Sequence, residues 1–383
     1  MDKSTSLAHH WLVGMRGGEK VLEQFSQLFP AAPIFTLVAD PAKLSPRLRA
    51  HHLRTSLLQR LPGGQHHYKS LLPLFPLAVR HLHVNPEANF LLSSDAAVIK
   101  GLCIPAGVPH VCYCYSPPRY LWDLQETYMR QTSGIGEFGR LVFRLSTPYV
   151  RNFDRRAART VDHFIAISAF ARGRIQRYYD RDSVVIYPPV ALDDFELETG
   201  GDDFYLVVSE LAPYKRIDLA VEAFNQLNRR LIVIGQGSEM ERLRRMAKPN
   251  IEFLGSQPFS VLKKHYQRCR AFIFPGIEDF GITPLEAQAS GKCVIGLAEG
   301  GLLETAIDGR TAVYFHEQTA QALAEAVERF EGQESLFEPE VCRANALLFA
   351  PGRFRREIVA FLAERFPHLF ANHPWPDGAL SGI

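Results

Sequence analysis

Short apolar runs, each followed by a turn and a segment of helical period, recur along this chain in two series separated by a Pro-Pro pair. The first series lies at 5–9, 34–38, 90–93, 110–114 and 163–167, and the second at 205–208, 231–234, 251–254, 271–274 and 293–295. A run that is apolar at successive positions, not alternate ones, has to be buried on both faces, as a strand is when crossover helices cover both sides of a parallel sheet. This pattern restricts the chain to the α/β class, with two doubly wound, Rossmann-like parallel sheets. The hinge is expected at Pro188-Pro189, which divides an N-terminal domain at 1–187 from a C-terminal domain at 188–350. Apolar positions of helical period predict late helices at 319–330 and 354–366, the second packing back onto the N-terminal domain, and the tail at 372–383 is expected to be loose. A chain of 383 residues that is 46% hydrophobic can fill two ordinary cores.

Composition excludes several classes. The longest apolar stretch, 71–82, is interrupted by Pro73, Pro76 and Arg80, so nothing reaches the roughly 18–20 apolar residues that a bilayer crossing requires. The N-terminus shows no signal-peptide core or cleavage site, and a cytoplasmic protein is expected. Six cysteines are too sparse for a disulfide framework, and Cys112 and Cys114 alternate along an expected strand, so they read as reduced thiols. The pairs His51-His52 and His66-His67 lack the spacing of a metal cage, and no metal is expected. Net charge is small but uneven: residues 1–190 hold 23 Lys+Arg against 13 Asp+Glu, and the rest hold 20 against 28. The basic excess is concentrated at 140–181, which reads either as a solvated surface or as a face for an anionic partner such as a phosphate-bearing lipid or a membrane, and no nucleic acid is expected.

The most informative segment is Phe274-Pro275-Gly276-Ile277-Glu278-Asp279-Phe280-Gly281-Ile282-Thr283-Pro284-Leu285-Glu286-Ala287. A buried strand ends, a loop carries an acid and a glycine, and a helix begins. Helix starts offer unpaired N–H groups and a partial positive charge to anions such as a diphosphate, and Gly281 lets the main chain come close. Thr283, Pro284 and Glu286 fit a capping box, with one carboxylate oxygen of Glu286 left over for a ribose diol. Glu278 lies where ligands bind in doubly wound sheets, at the C-terminal end of a strand.

The Glu278 and Glu286 spacing, E-x7-E within Glu-Asp-Phe-Gly-Ile-Thr-Pro-Leu-Glu-Ala, resembles the signature of the GT-B retaining glycosyltransferases of family 4. Further segments resemble that family in the right order. They are Gly14-Met15-Arg16-Gly17-Gly18-Glu19, the stretch from Tyr113 to Trp122, Ser209-Glu210-Leu211-Ala212-Pro213-Tyr214-Lys215-Arg216, and Gly300-Gly301-Leu302-Leu303-Glu304. Together they are similar to a bacterial subgroup of mannosyltransferases acting in O-antigen or exopolysaccharide assembly. The resemblance implies two Rossmann-like domains facing a central cleft. It also implies a nucleoside-diphosphate sugar as co-substrate with no separate cofactor, and a glycan or lipid-linked saccharide as acceptor. It assigns donor binding to Gly14, Gly17, Gly18, Phe280, Gly281, Ile282, Thr283 and Glu286, with Gly235 and Gly255 near the base. Glu278, Lys215, Arg216, His10 and Tyr115 form the expected catalytic group, in which the cations, the glycine-loop amides and the helix start stabilise the leaving diphosphate.

Four positions depart from the family pattern: His10 replaces an acid, Asp95 and Tyr115 replace histidines, and Glu210 replaces an arginine that faces the diphosphate. Arg216 is expected to supply the missing charge. In the strand order 3-2-1-4-5, His10 and Asp95 lie at the ends of neighbouring strands, and a carboxylate there is expected to favour protonated His10. Two competing readings remain open: a nucleotide-sugar epimerase on the same fold, and a catalytically weakened nucleotide-sugar-binding scaffold. A glycosidase suits the two glutamates less well, since one precedes a helix and the other lies in its first turn.

Overall fold

The computed structural model describes residues 5–126, 137–197 and 200–376. The chain divides into two compact units, Met1–Pro189 with Pro351–Gly382, and Val190–Ala350.

The first unit is a seven-stranded sheet of β1 (Thr5–His9), β2 (Ile34–Thr36), β3 (Leu53–Thr55), β4 (Phe90–Asp95), β5 (His110–Cys114), β6 (His163–Ala166) and β7 (Ser183–Val185), in the order β3-β2-β1-β4-β5-β6-β7. The second is a six-stranded sheet of β8 (Tyr205–Val208), β9 (Leu231–Ile234), β10 (Ile251–Gly255), β11 (Phe272–Phe274), β12 (Val294–Leu297) and β13 (Ala312–Phe315), in the order β10-β9-β8-β11-β12-β13. Both are parallel throughout, and every residue of β1, β4, β5, β9 and β12 is buried. Strand order reverses between β1 and β4, where His9 pairs with Ser94, and again between β8 and β11. Loops leaving the sheet on either side of such a reversal diverge, and the crevice above the strand ends is the usual place for a ligand.

Three strands lie outside the expected runs. The edge strands Leu53–Thr55 and Ser183–Val185 are half exposed, so no apolar run marks them, whereas Ala312–Phe315 is an apolar run that simply follows a turn at Asp308-Gly309.

The helices that matter for function are α1 (Gly17–Leu28), α2 (Phe75–Arg80), α3 (Glu137–Arg159), α4 (Ala169–Tyr179), α5 (Ile217–Leu227), α6 (Ile282–Ala289), α7 (Ala320–Gln333) and α8 (Pro351–Arg365). α8 returns to the first unit, where Phe354 packs 5.5 Å from Phe25 of α1 and 5.6 Å from Tyr113 of β5. The chain beyond it is docked as far as it is described, with Trp375 stacking 5.9 Å from Phe370 and reaching Phe29 at 5.6 Å. The expected looseness of the tail is therefore corrected for 372–376: a terminal aromatic cluster gives this polar-looking segment a hydrophobic seat. Residues 377–383 lie outside the described residues.

A charge cluster is buried in the first unit. The Lys100 ammonium donates to Asp154 at 2.5 Å and Asp95 at 3.2 Å, and all three side chains are at most 1% exposed. Asp154 also accepts from Trp122 at 3.0 Å and Tyr179 at 2.9 Å. Burial disfavours the charged ammonium, yet the two carboxylates outweigh it and hold Lys100 well above its ordinary pKa. The six cysteines are free thiols. Among the described residues no His, Cys, Asp and Glu cluster could hold a metal, and no helix is long and apolar enough to cross a membrane.

Removing one partner of such a cluster strands a buried charge. Asp154→Ala is expected to lower unfolding stability by about 3–5 kcal/mol in urea titration. A loss below about 1 kcal/mol would mean that the lysine is sustained by Asp95 alone.

Candidate functional site

In the second unit the site is built from the loops that follow β8, β11 and β12. β11 ends at Phe274, and the chain crosses Gly276 to Glu278 before entering α6. Gly281, with φ +92, is the residue before the first helical turn. That left-handed conformation strains any residue with a Cβ. α6 starts at Ile282, ahead of the expected start at Thr283 or Pro284, and no side chain caps it. Pro284 has no N–H, so the amides of Gly281, Ile282 and Thr283 are the donors presented at this helix start.

The loop is held from behind by the turn after β12. The Gly301 amide donates to the Glu278 carbonyl at 2.8 Å, and the Gly301 Cα lies so near Phe280 and Asp279 that an added Cβ would come within 2.7 Å of the Asp279 carbonyl oxygen. The Phe280 side chain is buried against Phe349 with ring centroids 5.7 Å apart, so only its main chain is offered to a ligand.

Glu278 and Lys215 form an ion pair across this loop, each side chain 19% exposed. Lys215 ends a short 3-10 turn, Pro213–Lys215, and Arg216 follows it with φ +53. The Arg216 guanidinium donates to the Asp218 carboxylate at 3.2 Å and to Gln318 at 3.0 Å. This fork secures the start of α5 and occupies the guanidinium expected to replace the charge absent at Glu210. Glu210 itself is exposed.

Glu286 is not a capping residue either. Its carboxylate accepts from the Tyr266 hydroxyl at 2.8 Å, and Tyr266 is fully buried, its pKa pushed well up by burial and then by Glu286. The helix starts two residues earlier than the capping box requires, which moves Glu286 out of reach of that geometry. Gly235 and Gly255 meet through a 2.8 Å hydrogen bond, and the loop after β9 reaches the loop after β8 where the Leu211 amide donates to Gln236 at 2.9 Å. The structure thus brings Lys215, Glu278 and the start of α6 together, and places Gly235 and Gly255 in adjoining loops.

In the first unit the ends of β1, β4 and β5 gather His9, His10, Ser94 and Tyr115. The Tyr115 hydroxyl donates to the Gly18 carbonyl in the first turn of α1 at 2.8 Å, tying β5 to that helix. Gly17 opens α1, while Gly14 has open space where a side chain would stand. Burial raises the Tyr115 pKa well above its ordinary value, so its phenol stays neutral. His9 bonds Ser94 at 2.6 Å, and its ring lies 4.1 Å from that of His10.

His10 is buried and its pKa is pushed down to about 4, mainly by desolvation, which outweighs the pull of Asp95. Asp95 is already committed to the Ala97 amide at 2.7 Å and to Lys100. The expectation of a protonated His10 is therefore corrected: neighbouring strand ends do bring the two residues into the same region, but loss of water dominates the electrostatics.

Sequence reading missed Tyr266, Ser94 and His9. Tyr266 looks like any core aromatic on a helix, and a serine at a strand end carries no signal until the strand order is known.

Two doubly wound parallel units in one chain, the second with a strand-loop-helix turn beside its order reversal, define the GT-B class of fold. Residues 191–346, which lie within the second unit, match the family described as glycosyl transferases group 1. An uncharacterised glycosyltransferase of Methanocaldococcus jannaschii is 26% identical over 191 residues, which cover 49% of this chain and 54% of the relative. The GDP-mannose-dependent α-(1-6)-phosphatidylinositol monomannoside mannosyltransferase of Mycolicibacterium smegmatis is 26% identical over 212 residues, covering 47% of this chain and 56% of the relative. The chain thus spans little more than half the length of these relatives. The HepE protein of Anabaena, solved with UDP-glucose, superimposes with a TM-score of 0.69 at 15% identity, covering 94% of this chain and 99% of that one.

The histidines make a test of the first unit. His10 is held at about 4 and His110 at about 3, both from an ordinary 6.5, so between these values the unfolded chain binds protons that the folded one refuses. Their contribution is complete above about pH 6.5 and is lost as pH falls toward 4, on the order of 3 kcal/mol for His10. The thermal midpoint is expected to fall over this range, with a shallower slope in His10→Asn. Equal slopes for the two proteins would contradict the burial of a neutral His10.

Proposed function

We propose that this protein is a retaining glycosyltransferase that moves a hexose, mannose by preference, from a nucleoside-diphosphate sugar to a hydroxyl of a glycan or lipid-linked saccharide in cell-surface polysaccharide synthesis. The observation that carries this reading is the pairing of Glu278 with Lys215 beside the amides of Gly281, Ile282 and Thr283. A diphosphate is the ligand that a lysine and a helix start recognise together. Bound there, it takes the Lys215 ammonium from Glu278, and the released carboxylate accepts from sugar hydroxyls.

As the glycosidic bond to the leaving phosphate breaks, negative charge grows on the diphosphate and positive charge on the sugar. Lys215 and the α6 amides stabilise the first, and Glu278 stabilises the second while holding the anomeric carbon toward the incoming oxygen. Glu286, fixed by Tyr266, accepts from the ribose diol. These residues neutralise the diphosphate without requiring a metal. Mannose is preferred because the mycolicibacterial relative is named for GDP-mannose. A place at the inner, cytoplasmic face of a membrane fits a lipid-linked acceptor and the basic first 190 residues.

The competing scaffold reading draws support from Glu210, exposed in the loop after β8, and from the engagement of Arg216 with Asp218 and Gln318. Two variants separate the readings. Glu278→Ala is expected to depress turnover about a hundredfold or more while nucleotide still binds in calorimetry. Tyr266→Phe is expected to weaken nucleotide binding about fivefold through loss of one hydrogen bond to the carboxylate. Nucleotide binding without turnover in the unaltered protein, across donors and acceptor extracts, would favour the scaffold. Full turnover in Glu278→Ala would remove Glu278 from the mechanism, and a rearranged donor sugar formed without acceptor would identify an epimerase.

A further inference from the structure

α3 carries a surface that neither the fold nor the donor site accounts for. One side of the helix is core: Thr147, Val150, Phe153 and Ala157 are buried, and Val150, Phe153 and Ala157 join the cluster formed by Tyr68, Leu72 and Phe75. The opposite side ought to be polar. Its first half instead exposes Leu141, Leu145 and Tyr149, one turn apart, at 52%, 70% and 53%, with Val142 beside them. Its second half exposes Arg156 and Arg159, and Arg144 is exposed among the apolar residues.

The stretch 139–159 contains six arginines and one acid, Asp154, which is buried against Lys100. Apolar exposure continues on the elements packed alongside: Leu74 of the 3-10 segment Tyr68–Leu74 is 40% exposed and Leu77 of α2 is 47% exposed. At the α2 junction, Arg80 lies over the Phe153 ring at 5.4 Å.

Single exposed leucines need no explanation, but a row of them at helical spacing that continues into a row of arginines has the composition of a helix lying in a membrane interface. A second copy of the chain fits less well, because pairing these faces would bring arginines toward arginines. An anionic bilayer accepts both halves, the leucines among the acyl chains and the guanidinium groups at the phosphates. We propose that the outer face of α3, with Leu74 and Leu77 beside it, docks the protein on anionic lipid, Leu141, Leu145 and Tyr149 entering the interface and Arg144, Arg156 and Arg159 binding lipid phosphate. The inference gives the membrane clause of the proposed function a surface and a lipid class, and it rests on that reading only for why docking is useful.

The test is co-sedimentation of the full chain, without donor or acceptor, with vesicles of neutral phosphatidylcholine or of phosphatidylcholine containing phosphatidylglycerol. The unaltered protein is expected to bind the anionic vesicles and to lose most binding at high salt. The double variant Leu141→Glu/Leu145→Glu and the double variant Arg156→Ala/Arg159→Ala are each expected to bind about tenfold more weakly. Leu336→Glu, at a 63% exposed position in the second unit, is expected to bind unchanged. Thermal melting checks that each variant is folded, which is expected because all these positions face solvent.

Equal binding by the α3 variants and the unaltered protein would overturn the proposal, as would binding that ignores lipid charge. So would an absence of vesicle binding, with or without a dimer in sedimentation that the leucine variant abolishes. Glycosyl transfer to a water-soluble acceptor, measured in parallel, reads the donor site independently. Transfer retained without lipid binding overturns the surface alone, and lipid binding without transfer counts against the transferase reading alone.

Discussion

A strand buried on both faces of a parallel sheet has to leave the sheet at its C-terminal end and return by a crossover helix. Where successive crossovers run to opposite sides, the departing loops separate and leave a crevice that the sheet cannot fill. This constraint operates twice here, between β1 and β4 and between β8 and β11. Lys215, Glu278 and the start of α6 all follow from the second reversal, and His9, His10, Ser94 and Tyr115 from the first. Much of the remaining loop chemistry holds these strand ends still. Gly301 locks the backbone of Glu278, Tyr266 holds Glu286, Arg216 closes the turn before α5, and the Tyr115 hydroxyl fixes the first turn of α1.

Desolvation sets the electrostatics of the first unit. His9 and His10 at the end of β1, and His110 at the opposite, N-terminal end of β5, are all held below the ordinary histidine range, with burial the largest cause in each. Lys100 keeps its charge despite burial because the carboxylates of Asp95 and Asp154 meet its ammonium, and Asp95 in turn stays charged beside it. The arginine excess lies elsewhere, on the exposed side of α3. Net charge therefore says little about the polarity of a site, because neutral buried groups and solvated surface groups are counted together.

Much of this was legible in the sequence because double-sided burial leaves unbroken apolar runs, and those runs gave the two sheets, most of their strands and the loop that carries Glu278. Edge strands such as Leu53–Thr55 were not legible, since half exposure removes the run. At the site, the residue types were readable but their partners were not. The spacing of Thr283, Pro284 and Glu286 satisfies a capping box, and only the φ of Gly281 decides that the helix begins earlier and that Glu286 turns to Tyr266. Likewise, Arg216 is a plausible phosphate ligand by position, yet Asp218 and Gln318, one close in sequence and one far, claim it first. His10 and Asp95 were rightly placed on neighbouring strand ends, but charge-charge attraction was weighed without the burial that overrides it.

The proposed function puts the diphosphate where the loop after β11 meets the start of α6. Amide hydrogen exchange, followed with and without guanosine diphosphate and uridine diphosphate, tests it directly. Slowed exchange is expected at Gly281, Ile282 and Thr283 and in the loop around Lys215, with little change on the far side of the sheet, where the hollow lined by Asp202, Arg270 and Glu334 lies. Protection confined to that hollow, or a bound nucleotide that leaves the three amides exchanging as before, would contradict it.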